Sequence, residues 1–203
     1  MTPYFFPRTS NDVPFEVTVQ PDLKLVIAGV SNSNGTDDLA LFRLNPDLSI
    51  DTGFGDLGGA QLVDLGGGET ARDLVVQPDG KLALAGLSAI GEDIDFVVAR
   101  FNNNGSSDTG FGSGGVTRTS FGSPSVEGAF GLVREPNGRL VAAGTSDAAG
   151  DLDFALARFG VTDTPLPPPA FWAMTSSTAW AVTIRSGDWT VTTSSAAVRA
   201  AMS

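Results

Sequence analysis

The sequence contains neither cysteine nor histidine. Without cysteine the chain can form no disulfide framework and no thiolate metal site. Without histidine it lacks imidazole general bases, the Ser-His-Asp and Cys-His catalytic groups, and the ligands of most zinc sites. Carboxylates are available in number for hydrolase chemistry, but no two of them stand out as a pair. We therefore expect a protein that is not an enzyme, with no catalytic and no cofactor-binding residues.

Basic residues are also scarce, since 12 Lys and Arg face 23 Asp and Glu and the net charge is -11. Binding to nucleic acid requires clustered Lys and Arg, so we expect no nucleic-acid partner. No run of about 18 apolar residues occurs, which predicts no membrane-spanning helix. The first eight residues lack a basic start followed by a long apolar stretch, and they predict no signal peptide.

What the sequence does contain is a repeat. A ten-residue block occurs three times, as QPDLKLVIAG from Gln20, QPDGKLALAG from Gln77 and EPNGRLVAAG from Glu135. The spacing is 57 residues from Pro21 to Pro78 and 58 residues from Pro78 to Pro136. A fixed period of this size is typical of proteins in which stacked copies of one small unit bury a shared core.

Each copy of the block predicts a β-hairpin with a Pro-Asp-Gly turn. In such a turn Pro presets φ, and Gly80 and Gly138 supply the positive φ that the turn requires. Leu23 replaces this glycine in the first copy, so we expect a strained or altered turn there. The strand after the turn is apolar at nearly every position, which predicts that neighbouring copies cover both of its faces.

Further strands complete each period. The pattern predicts a third strand at residues 38–44, 95–101 and 153–159, after exposed loops at residues 31–37, 88–94 and 145–152. A compact Gly-Phe-Gly turn follows in two copies, and then a weaker strand at residues 60–65 and 115–121. Four antiparallel strands per period describe a propeller blade. The fold class is therefore all-β, a propeller-like stack of about three four-stranded antiparallel blades that is open rather than closed into a ring.

Changes in composition divide the chain into three parts: a lead-in at residues 1–14, a repeat domain at residues 15–159, and a Pro-rich linker with a tail at residues 160–203. The copies span residues 15–71, 72–129 and 130–159, and the last is incomplete because it stops before the Gly-Phe-Gly turn. In the tail, residues 164–169 predict polyproline II, and residues 179–193 have the pattern of a hairpin.

The set of motifs Gln-Pro-Asp-Gly-Lys, Ala-Gly, Asp-Phe-x-x-Ala-Arg-Phe and Asp-Thr-Gly-Phe-Gly resembles the delta-sixty repeat of bacterial surface and secreted proteins. The resemblance covers roughly residues 15 to 159. It implies a β-propeller-like fold of unassigned activity and an extracellular or cell-surface location. The sequence departs from the family pattern at Leu23 and in the third copy, which lacks the Asp-Thr-Gly-Phe-Gly block.

An Arg near the end of each third strand is the main candidate for a structural role. A buried Arg must be paired, because an uncompensated charge in a low dielectric costs several kcal/mol. We expect these residues to hold the copies together rather than to act on a ligand, with Asp51 as the partner of Arg43 and Asp108 as the partner of Arg100. Arg158 is the third of these arginines.

Two short patterns are better explained by turns than by ligands. The residues Gly53 to Gly58 match GxGxxG, but no helix follows them, so nucleotide binding is not expected. Ser49-x-Asp51-x-Gly53 matches half of the Asp-box turn of sialidase-like propellers, whose Asp accepts hydrogen bonds from the turn amides. Calcium is the one cofactor to consider, with Asp37, Asp38, Asp93 and Asp95 in acidic loops as weak ligand candidates; neither loop has EF-hand spacing.

We expect a non-catalytic repeat scaffold or interaction module, with a carbohydrate-binding or glycosidase-like propeller as the alternative. Sugar sites usually use Trp or Tyr, whereas Trp172, Trp180 and Trp189 all lie in the tail. A protein or a surface polysaccharide is the expected partner. Because about three blades cannot close a ring, the ends are capped, or the chain is part of a longer array, or chains associate end to end; a cap or a longer array is favoured over a pair.

Overall fold

The computed structural model of the protein describes residues 10–160, 180–184 and 191–195. These residues form three antiparallel β-sheets, and they contain no helix that could cross a membrane. The first sheet consists of β1 (Asp12–Val19), β2 (Leu25–Ser31), β3 (Asp38–Leu44) and β4 (Ala60–Val63). The second consists of β5 (Gly68–Val76), β6 (Leu82–Ile90), β7 (Asp93–Phe101) and β8 (Val116–Thr119). The all-β, open, propeller-like fold expected from the sequence is confirmed.

The third sheet contains β9 (Glu127–Arg134), β10 (Leu140–Ser146), β11 (Asp153–Phe159), β12 (Trp180–Ile184) and β13 (Val191–Ser195). Its strand order is β9-β10-β11-β12-β13, so β12 takes the place beside the third strand that β4 and β8 take in the other sheets. The tail therefore supplies the fourth strand that the third copy lacks. The predicted polyproline II segment at residues 164–169 lies outside the described residues.

Two predicted boundaries are wrong. The second loop, predicted at residues 88–94, is mostly strand, because β6 continues to Ile90 and β7 begins at Asp93. Gly91 has a φ of 65°, which permits the tight turn between them. The first strand of each sheet also begins before the predicted first residue of its copy, at Asp12, Gly68 and Glu127 rather than at residues 15, 72 and 130. β1 therefore includes residues 12–14 of the lead-in.

A β-bulge interrupts the pairing of the first and second strands in all three sheets. The residue on the second strand at this point is the glycine of the Ala-Gly pair, namely Gly29, Gly86 or Gly144. A Cβ at Gly86 would collide with the carbonyl oxygen of Thr70, and the other two glycines approach the neighbouring backbone in the same way. The bulge therefore explains why each ten-residue block ends in glycine.

The turn of each ten-residue block has the same geometry in the three copies. The φ angles of Gly80 and Gly138 are 82° and 89°, and Leu23 adopts a φ of 66° at the same position. In all three turns the amide of the first residue donates to the carbonyl of the fifth, and the amide of the fourth to the carbonyl of the first. The first copy therefore forms the same turn, with Leu23 in the strained left-handed backbone conformation.

The sheets are stacked face to face, and the second sheet is covered on both sides. We call the face of a sheet that points to the next sheet in the chain its forward face, and the opposite one its rear face. Leu82, Leu84 and Val97 on the rear face pack against the first sheet. Ala83, Ala85, Phe96 and Val98 on the forward face pack against the third. Apolar residues at successive positions of β6 and β7 thus serve two different interfaces.

The strands of the end sheet and at the sheet edges have a different burial pattern from β6 and β7. In β11 buried and more exposed residues alternate, although its sequence is as apolar as that of β7. The edge strand β8 also alternates, but Thr117 and Thr119 form its buried face, while Val116 and Arg118 are half-buried. The inner face of β8 is thus the polar one, and Thr119 Oγ1 is a buried hydroxyl without a hydrogen-bond partner among the described residues.

Replacing Leu23 by glycine tests the strain in the first turn. A non-glycine residue in the left-handed region costs about 1 to 2 kcal/mol, and the glycine entropy in the unfolded chain offsets part of that gain. We expect Leu23→Gly to raise the free energy of unfolding by about 0.5 to 1 kcal/mol in denaturant melts. Leu23→Ala is the matched control, since it keeps the strain; equal stability of the two variants would contradict the assignment.

Candidate functional site

A cluster of three charged side chains joins the hairpin turn of the first sheet to its third strand. Arg43 Nε lies 2.7 Å from Asp51 Oδ2, and Lys24 Nζ lies 2.9 Å from the same oxygen. The other oxygen of Asp51 accepts a hydrogen bond from the amide of Gly53 at 3.2 Å. The guanidinium of Arg43 also stacks over the ring of Phe54, 4.5 Å from its centroid. The structure thus brings Arg43 and Asp51 together.

The second sheet contains the same cluster. Arg100 Nε and Lys81 Nζ lie 2.7 and 2.8 Å from Asp108 Oδ2, and Arg100 stacks over Phe111 at 4.6 Å. Lys24 and Lys81 are the only lysines of the chain. They were not predicted as members of the cluster, although both occupy the same position of the repeated block, directly after the turn. Repetition of the cluster in two copies favours a structural role.

Burial and ion pairing act in opposite directions on the two aspartates. Burial by itself would raise the pKa of Asp51, but hydrogen bonds from Lys24 and Arg43 outweigh it and hold the pKa below its usual value. The pKa of Asp108 is lowered by the corresponding contacts with Lys81 and Arg100. A lowered pKa moves a carboxyl group away from the near-neutral pKa that suits a general acid or base. The contacts of both clusters lie within the chain and brace the sheets.

Arg158 does not form this cluster, so its expected role as a buried brace is wrong. Its side chain is 51% exposed, compared with 7% for Arg43 and 6% for Arg100. Its partner is Glu135, with Arg158 Nη2 lying 3.1 Å from Glu135 Oε1. The reason is that the third copy lacks both the aspartate and the phenylalanine of the Asp-Thr-Gly-Phe-Gly block.

The Arg43 cluster also reaches across to the second sheet. Arg43 Nη1 donates to Gln20 Oε1 at 3.2 Å and to the carbonyl oxygen of Asn103. Gln20 Nε2 donates to Asn103 Oδ1 at 2.8 Å. Asn103 follows the third strand of the next copy, so this network fixes the first sheet to the second. Sequence reasoning missed it because these residues are far apart along the chain.

Three carboxylates gather where the first and second sheets meet. Oxygens of Asp38, Asp64 and Glu69 all lie within 4.8 Å of one another. Burial raises the pKa of both Asp38 and Glu69, and the neighbouring charge of Asp64 raises them further. Asn34 and Thr36 donate to Asp38, while Ser88 donates to Glu69. The internal hydrogen bonds thus replace part of the solvation that these carboxylates lose.

The calcium candidates predicted from the sequence are dispersed. Of the first pair, Asp38 belongs to the three-carboxylate group, whereas Asp37 is exposed and lies outside it. Of the second pair, Asp95 forms an ion pair with Arg118 at 3.0 Å, and Asp93 accepts from the hydroxyl of Ser123. Three carboxylate oxygens fall short of the six to eight that calcium takes. The structure therefore does not assemble either predicted loop into a set of ligands.

Glu127 lies at the corresponding boundary between the second and third sheets and is the most strongly perturbed of the described carboxyl groups. Burial raises its pKa to about 7, against hydrogen bonds from Ser125, the amide of Phe121 and Ser146. Its position in the third copy matches that of Glu69 in the second, and Ser146 matches Ser88. This Glu-Ser pair was not predicted, although both residues recur in the sequence one repeat period later.

A double-mutant cycle tests the coupling of Arg100 with Asp108. Since both side chains are largely buried, we expect the coupling energy between Arg100→Met and Asp108→Asn to exceed about 1 kcal/mol. The more exposed pair of Arg158 and Glu135 is the matched control, for which we expect about 0 to 1 kcal/mol. Additive effects of the two substitutions at Arg100 and Asp108 would refute the brace.

Glu127 predicts that stability depends on pH. The folded pKa of about 7 lies above the ordinary value of 4.5, so the folded chain binds the extra proton more tightly than the unfolded one. This contribution to stability is complete below the ordinary pKa and is lost as the pH rises through 7. We expect Glu127→Gln to flatten the decline in the free energy of unfolding between about pH 5 and 8. An unchanged slope in denaturant melts would contradict the assignment; Asp47→Asn, at an exposed turn, is the control.

Comparison with protein families agrees with the three-sheet architecture. A family described as a domain of unknown function with a β-propeller (DUF5122) matches residues 20–54, 77–111 and 135–161. The first two segments run from the residue before the turn proline to the phenylalanine under the arginine, so each includes a complete Arg-Asp-Lys cluster. A search of curated proteins gives no match. Three segments of the chain therefore match the repeat of a β-propeller family.

Proposed function

We propose that the chain is a non-catalytic repeat scaffold that works as an interaction module. Its support is the forward face of the third sheet, formed by Val133, Val141, Ala143, Phe154 and Leu156. Phe154 is 72% exposed, and Val133 and Ala143 are exposed as well. Large exposed apolar patches on folded proteins are typical of interaction sites. The clustered charges described above, by contrast, form contacts within the chain.

The location and the family subtype belong to the same proposal. The motifs Gln-Pro-Asp-Gly-Lys and Asp-Thr-Gly-Phe-Gly are those of the delta-sixty repeat, and they support membership of that group of repeats. On this basis the chain is a module of a bacterial surface or secreted protein. Another protein or a surface polysaccharide is then the partner class.

A carbohydrate-cleaving propeller is the alternative, and the group of Asp38, Asp64 and Glu69 is the feature that favours it. Glycosidases pair a carboxyl group of raised pKa with an ionised one. Asp38 and Glu69 are fully buried, however, and are held by Asn34, Thr36 and Ser88. The geometry therefore favours a structural use of these carboxyl groups.

Assays with glycosides separate the two functions. We expect the full chain to hydrolyse none of a panel of chromogenic glycosides and to show no saturable binding of oligosaccharides by calorimetry. Glu69→Gln is the matched variant, because it keeps the shape of the group and removes its charge. Turnover that disappears in Glu69→Gln would overturn the scaffold and establish the alternative.

A further inference from the structure

The forward face of the third sheet has counterparts whose burial is known. Position by position, Val133, Val141, Ala143, Phe154 and Leu156 correspond to Val75, Ala83, Ala85, Phe96 and Val98 of the second sheet. All five counterparts lie in the core between the second and third sheets, and Phe96 is completely buried there. The third sheet thus presents the same kind of surface that its predecessor uses to bind the next sheet.

The complementary surface is present at the other end of the stack. On the rear face of the second sheet, Leu74 and Leu82 pack against the first sheet. Their counterparts in the first copy are Val17 and Leu25. No sheet among the described residues precedes them, and Val17 is 55% exposed. Val19, on the same face and strand, is exposed too. The described residues therefore present the two halves of an interface that forms twice between their own sheets.

The polar groups at the forward end point to the same arrangement. In the first sheet, Arg43 donates to the carbonyl oxygen of Asn103 on the next sheet. The corresponding Arg158 is half-exposed, and the corresponding carbonyl in the first copy belongs to Pro46.

We propose that the forward face of the third sheet binds the rear face of the first sheet of a second copy of this chain. The partner is argued from continuity with the interfaces between sheets within the chain, and the inference rests on the proposed function as an interaction module. The contact is heterologous, so two copies can use it twice and close. Two chains of three sheets then form a ring of six blades, within the usual range of four to eight.

The contact uses the half of the rear face that lies on β1 and β2. Ala40 and Phe42, on the β3 half of the same face, are already buried within the single chain, whereas Val17 and Val19 are open. Phe154 on the forward face then packs into the space against this half, and Arg158 donates to the carbonyl of Pro46 in the second copy. The buried apolar surface supplies the attraction, which must exceed the repulsion between two chains of charge -11.

Sedimentation equilibrium on the full chain tests the proposal. At near-physiological salt we expect a reversible dimer of twice the chain mass of 20.9 kDa. Phe154→Glu and Val17→Glu should each give a monomer, because each destroys one half of both contacts. Both residues are exposed in the single chain, so thermal melts should show that the variants fold. Leu57→Glu, at an exposed leucine of the turn before β4, is the matched control and should remain dimeric.

Mixing the two monomeric variants identifies the partner surface. Phe154→Glu keeps its rear face and Val17→Glu keeps its forward face, so the mixture should form a heterodimer through one intact contact. A chain that is monomeric at all concentrations overturns the proposal. A dimer that survives both substitutions also overturns it. So does a dimer that survives Val17→Glu alone, because two forward faces would then be in contact, and so does an open series of larger species. A monomer without glycoside turnover leaves the scaffold function standing, whereas turnover overturns that function and leaves the dimer measurement valid.

Discussion

A β-strand that is apolar at successive positions requires a neighbour on each side of its sheet, and this requirement organises the whole molecule. The second sheet meets it, because the first and third sheets cover Leu84 and Ala85 from opposite sides. No sheet in such a stack is stable by itself, and each buries its core residues against a copy of itself. Among the described residues the first and third sheets carry the same kind of apolar residues and each packs against one other sheet, and we propose that their outer faces bind a partner.

Charge is the second constraint, and the copies meet it in different ways. Arg43 and Arg100 are buried because each has an aspartate, a lysine and a phenylalanine ring around it. At the boundary between sheets the copies diverge. Asp95 of the second copy is neutralised by Arg118, whereas the first copy has Gln61 at the position of Arg118, and Asp38 lies beside Glu69 instead. The same backbone thus accommodates an ion pair in one copy and a group of three neighbouring acids in another.

The repeat period made the architecture predictable, since the turns and the third strands recur in phase and define the sheets. The pairing of Arg43 with Asp51 followed from the cost of a buried charge and a short separation along the chain. The bond from Gln20 to Asn103 could not be predicted in that way, because it depends on how one sheet lies on the next. Arg158 was misjudged for a related reason: its strand matches the other copies, but the residues that would enclose it are missing from the following segment. The sequence pattern of a strand thus predicts the strand itself but not the residues that surround its side chains in the fold.

The β-bulge opposite Gly29, Gly86 and Gly144 has a consequence for how such a protein can grow. Because backbone atoms occupy the place where a Cβ would lie, no other residue is tolerated there without moving the first strand of the sheet. A bulge bends its strand and increases the local twist, so this bend is passed on unchanged whenever a copy is duplicated. A duplicated copy therefore brings its own bent first strand, and a substitution at the glycine of one copy alters the first strand of that sheet.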